Sequence, residues 1–120
     1  MGTYKDLKVW QKSMQLARRI YEITLRYPVD EKFGLVSQMR RCVVSIPSNI
    51  AEGYGREGEK EHLHFLFISL GSSNELETQM ILSYDFHYVS EEEYAEVMDL
   101  NSEVNKMLSS LIYTLKHPKP

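Results

Sequence analysis

The stretch Ser45 to Gly58, SIPSNIAEGYGREG, gathers most of the groups in this chain that could do chemistry. Two serines precede a carboxylate, Glu52, and glycines at 53, 55 and 58 spell G-x-G-x-x-G. Three uses are open to such letters: a phosphate cradle, a nucleophilic serine, or a turn between helices. A dinucleotide loop needs its glycines between a strand and a helix, so that the tight turn delivers pyrophosphate to the helix N-terminus. Here they follow a helical pattern instead. That favours a helix end and a turn, where glycine tolerates positive φ. Arg56 and open backbone N–H groups after Gly58 could still meet an anion, against the opposing charge of Glu57, Glu59 and Glu61.

The nucleophile readings fare no better. Ser45 and Ser48 sit in neither a G-x-S-x-G elbow nor an S-x-x-K arrangement, and no histidine is close in the chain. Cys42 has Arg40 and Arg41 beside it, which would favour a thiolate, but its apolar mid-helix setting reads as an inert core residue. His62 and His64 are two apart, so on a helix they point away from each other and cannot share a metal ion. His87 and His117 are isolated. The expectation is a protein that is not an enzyme, with no cofactor and no metal.

The elements that would hold these residues are helices. Leu7, Trp10, Met14, Ala17, Tyr21 and Thr24 recur at steps of three and four, and Val9, Leu16, Ile20, Ile23 and Tyr27 make a second stripe beside them. Pro28 ends this segment, and Asp30 is placed to cap the next. A second segment carries Val36, Met39, Val43, Ile46 and Ile50 up to the glycines. A third runs through Leu63, Leu66, Leu70, Ser73, Leu76 and Met80. Ser90 with Glu93 has the S-x-x-E form of a capping box, and a fourth stripe follows through Val97, Asn101, Val104, Leu108 and Leu111. The pattern predicts an all-α fold with helices at roughly 6–27, 32–54, 59–86 and 91–116. Short connections make neighbours antiparallel, giving an up-down-up-down four-helix bundle as a single domain over 1–120.

That topology brings the polar residues of the second and third helices together. If they reverse near residue 58, positions whose numbers sum to about 116 face each other. Arg41 then falls opposite Glu75, Ser45 opposite Gly71, and Glu52 opposite His64, with Ser69, Ser72 and Ser73 near the same line. Small residues let two backbones approach, and an Arg–carboxylate pair can satisfy both charges across such a seam. The expected structural seam is Arg41, Ser45, Asn49, Glu52, Ser72 and Glu75. Pro47, inside the helical pattern, should kink its helix and free a carbonyl near Val43.

Composition sets the wider bounds. With 120 residues, 42% hydrophobic and 26% charged, the chain is an ordinary globule able to bury a core. No apolar run approaches the roughly 20 residues of a membrane span, and the N-terminus MGTYKDLKVWQKS carries charges where a secretory signal would be apolar. One cysteine fits a reducing compartment, so the expected location is the cytoplasm, with no membrane partner. Net charge is −3, but it is unevenly spread. Residues 1–60 hold 11 Lys+Arg against 7 Asp+Glu, and residues 61–120 hold 3 against 10. Such asymmetry suits either an anionic partner or a head-to-tail contact between copies.

The order DLKVWQKS, GLVSQMRRCVVSIPSNIAEGYGR and FLFISLGSSNELETQ resembles the bacterial 23S rRNA-intervening sequence proteins, nearly end to end. The resemblance implies a four-helix up-down bundle assembling into a homopentameric ring, encoded by reading frames often found inside insertions in ribosomal RNA genes. It is also similar to the accessory proteins of diversity-generating retroelements, which are basic, bind nucleic acid and associate with a reverse transcriptase. Leu70 stands before Gly71 where the family often has arginine, and this chain is acidic overall.

Two functions follow. In one, a ring repeats the basic residues Lys5, Lys8, Lys12, Arg18, Arg19, Arg26 and Arg56 around an axis and binds structured RNA or a ribonucleoprotein. In the other, the protein is a structural or protein-interaction oligomer with no nucleic-acid role. In both, a lone bundle needs only one inward stripe on the first helix, so Val9, Leu16, Ile20, Ile23 and Tyr27 are the expected subunit contact.

Overall fold

The computed structural model describes residues 2–119. Four helices account for most of them: α1 (Lys8–Thr24), α2 (Leu35–Tyr54), α3 (Glu59–Asp85) and α4 (Glu91–Lys116). Each packs on its two neighbours, α1 on α2 and α4, α3 on α2 and α4, as an up-down-up-down bundle requires. The rod measures 51 × 23 × 22 Å. One end carries the 25–34 and 86–90 connections, and the other the 55–58 turn and both described chain ends.

The local signals explain the boundaries. A 3-10 turn at Tyr4–Asp6, closed by a Thr3–Asp6 capping box, precedes α1, which therefore begins two residues later than the expected start at residue 6. A second 3-10 turn at Val29–Glu31 delays α2 to Leu35. Asp30 does not cap α2; the Glu31 side chain accepts from the Leu35 N–H instead, at 3.2 Å. The Ser90–Glu93 capping box forms as its spacing predicts. α2 continues as one helix through Pro47, and the hydroxyl of Ser69 donates to the Ile46 carbonyl beside it at 2.9 Å.

The core is built by Leu16, Ile20 and Ile23 of α1, Met39, Val43, Ile46 and Ile50 of α2, Leu66, Leu76 and Met80 of α3, and Val97, Val104 and Leu108 of α4. This overturns the expected subunit contact. Val9, Leu16, Ile20, Ile23 and Tyr27 are all between 0% and 7% exposed, inside the protein's own bundle. Periodicity had resolved two stripes on α1 but not which one turns inward. The other stripe, with Trp10, Met14 and Ala17, is the outer one, and it lines a groove against Val44, Pro47 and Ala51 of α2.

Candidate functional site

Two polar regions, one between α1 and α4 and one between α2 and α3, hold many of the residues singled out by their chemistry. The first joins α1 to α4. Lys12 and Arg19 share one edge of α1, Arg26 follows seven residues on just past its end, and the three meet Glu103, Glu96 and Glu93 of α4 in antiparallel order. Arg19 holds Glu96 with two hydrogen bonds at 3.0 Å, and that contact raises its pKa. The Glu93 carboxyl lies below the usual carboxylate range, first because the Ser90 N–H donates to it and further because Arg26 stands beside it.

These ion pairs change the account of the expected basic face. Lys12, Arg19 and Arg26 are neutralised by α4, and Arg56 pairs with Glu52 one turn earlier at 2.8 Å. Among the described residues, Lys5, Lys8 and Arg18 are the members of that set without an ion pair. Lys8 and another cation, Lys106, line the same groove as Leu7, Val9, Met107 and Leu111.

The second region is the α2–α3 seam, where the helices lie closest. A Cβ built on Gly53 would come within 3.0 Å of the Phe65 Cβ and 3.2 Å of the His62 carbonyl oxygen, so only glycine fits there without a shift. The facing rule is accurate to within one or two residues. Ser45 meets Ser72 rather than Gly71, and the hydroxyls bond at 2.9 Å. Gly71 itself faces open space. Asn49 donates from Nδ2 to both the carbonyl and the hydroxyl oxygen of Ser45. The Cys42 thiol donates to the Ser72 carbonyl. Burial, and next the charge of Glu75, push that thiol up to about 12, so it stays protonated and is a poor nucleophile.

The rest of the expected seam departs from its pairing. Arg41 and Glu75 line the same groove but form no ion pair with each other. Glu52 turns to Arg56 rather than across to His64. The glycines of GYGREG work without positive φ; among the described residues the left-handed conformation belongs to His87, φ 63°. Gly55 and Gly58 have room for a Cβ, so crowding does not require glycine at either.

Three contributors were missed by sequence reasoning. Arg40 bonds the Thr24 hydroxyl and the Tyr21 carbonyl and stacks over the Tyr21 ring at 4.5 Å, tying α2 to the end of α1. Buried Gln79 donates to Glu75 at 3.2 Å and so orients it. Asn101 exchanges hydrogen bonds with Ser73, a buried polar layer between α3 and α4. Ser73 and Asn101, the polar letters inside the third and fourth apolar stripes, were the available signal for that layer. Among the described residues there is no cluster of three or more His, Cys, Asp or Glu side chains placed to hold a metal ion. No helix among them is long and apolar enough to cross a membrane.

Comparison with known proteins places this arrangement. A crystal structure of a protein of unknown function from the S23 ribosomal protein family of Bacteroides thetaiotaomicron superimposes with a TM-score of 0.81. The two are 29% identical, over 88% of this chain and 96% of that one. No curated protein matches the chain. The family model for 23S rRNA-intervening sequence proteins matches residues 5–110, which takes in all of α1, α2 and α3 and most of α4. The chain belongs to the 23S rRNA-intervening sequence protein family.

Proposed function

We propose that this protein is a non-enzymatic, cytoplasmic, self-associating four-helix bundle that works through its outer faces. The observation that carries the reading is apolar surface left over after the core is complete. Trp10, Met14, Val44 and Ala51 line one groove, while Phe67, Ile68, Ile81 and Leu82 stand out on α3. On α3 these apolar side chains stand outside the core towards the two ends of the helix, where the single bundle leaves them 37–44% exposed. Two unlike patches on different helices favour a heterologous contact, which closes into a ring when the rotation fits. Five copies is the size that the family resemblance implies.

Light scattering on the purified protein tests this directly. The expected mass is a multiple of 14.1 kDa, falling towards 14.1 kDa for Val44→Asp and Ile68→Asp with the helical signal of circular dichroism unchanged. A wild-type monomer, or variants of unchanged mass, would overturn the reading.

Binding of structured RNA is the second reading, supported by Lys8, which is without an ion pair among the described residues and shares a groove with Lys106. Repetition around a ring would multiply a patch too weak to act once. Retention of a structured RNA at low salt, weakened by salt and by Lys8→Gln, is the expected result. No retention at low salt rejects it.

A further inference from the structure

From the geometry of the α2–α3 groove, we propose that it is a binding site for a small zwitterion of the α-amino-acid class, carrying a carboxylate and an ammonium on adjacent atoms. The groove has a volume of about 500 Å³, within the size range of small-molecule sites. Its wall residues come from three places: Phe33 in the 25–34 connection, Arg41 and Ser45 on α2, and Ser72 and Glu75 on α3. The site does not depend on self-association or on RNA.

The donor set is asymmetric in a way that fits such a ligand. The Ser45 hydroxyl oxygen accepts two hydrogen bonds, from Ser72 Oγ at 2.9 Å and Asn49 Nδ2 at 3.0 Å. Its own proton is therefore left to donate elsewhere, and Ser45 lines the groove. Arg41, with no ion pair or side-chain hydrogen bond among the described residues, adds guanidinium donors on the same side of the seam. Together these are partners for a carboxylate. Across the groove, Glu75 has Oε2 fixed by Gln79 Nε2, which leaves Oε1 as an acceptor for an ammonium. Arg41 and Glu75 are both exposed and stay apart across the groove, so one ligand carrying the opposite charges can bridge them. Phe33, 89% exposed at the groove, supplies an apolar surface for the ligand's side chain.

Saturation-transfer NMR on the full-length protein, with L-leucine as the probe, tests the site. L-leucinamide lacks the carboxylate and N-acetyl-L-leucine lacks the ammonium, so each should bind at least about tenfold more weakly. Arg41→Gln and Glu75→Gln should weaken L-leucine by a similar factor without changing the melting temperature, and Ser45→Ala should weaken it less. The proposal fails if L-leucine gives no transfer at about 10 mM, or if all three compounds give equal signals. It also fails if the variants bind as the wild type does. Loss of binding that appears only alongside a fall in melting temperature would make Arg41 and Glu75 structural residues, and would equally overturn it.

Discussion

The α1–α4 edge and the α2–α3 seam solve the same problem, joining two antiparallel helices, with opposite chemistry. Across α1–α4, long charged side chains reach over the outside of a looser contact in three ion pairs. Across α2–α3, the most extensive contact in the bundle, the side chains are glycine, serine and cysteine, and the bonds run to backbone carbonyls or between hydroxyls. Distance decides the difference. Ion pairs at half-exposed positions can form wherever flexible stems span a gap, but they contribute little because water already solvates both ends. Close backbone approach excludes long side chains, and each polar group trapped there must find a partner within the seam.

Breaking the seam should therefore cost more than breaking the edge. Gly53→Ala forces a methyl against the His62 carbonyl and the Phe65 Cβ, and should destabilise the bundle by about 1–3 kcal/mol in urea unfolding. An unchanged midpoint would mean that α3 can shift away freely, and that the seam is not tight.

The seam should also carry an alkaline signature that the edge lacks. The Cys42 thiol titrates near 12 in the folded protein against an ordinary value of 9.0. Its folded-state pKa is raised, so its contribution is complete below pH 9 and is lost as pH rises from there towards 12. Unfolding midpoints measured over that window should fall more steeply for the wild type than for Cys42→Ala. Equal slopes would show that the thiol is not desolvated.

A third substitution separates true close approach from mere small size. Gly71 is in the middle of α3 with nothing near its missing Cβ, so Gly71→Ala should stabilise by about 0.5–1 kcal/mol. Destabilisation would place a neighbour there that the single chain lacks, such as a second copy. At the edge, Arg19→Gln should cost about 0.3–1 kcal/mol at low salt, and the difference should shrink as salt is raised. A salt-independent loss would assign Arg19 to packing through its stem rather than to its charge.

Much of this was legible in the letters. Helical periodicity at Leu66, Ser73, Leu76 and Met80, the Ser90–Glu93 box and the short connections lead to four antiparallel helices and to the Ser45–Ser72 neighbourhood. The ion ladder was legible too, since Lys12, Arg19 and Arg26 are seven apart and the later helix is acidic, but these cations were assigned to an outside partner. Charge counted along the chain does not say which charges will face each other. The same blindness inverted the two stripes of α1: Leu16 and Ile20 versus Trp10 and Met14 are equally apolar and equally periodic.

By itself, then, the sequence determined the element types, their antiparallel order and the family, because helix periodicity, caps and turn lengths are local properties of the chain. Which stripe of α1 is core, which cations are already neutralised, and that Arg41 and Glu75 share a groove without pairing were decided only by the tertiary structure. Those outcomes depend on the rotation of each helix about its axis, and that rotation is fixed by packing all four faces at once.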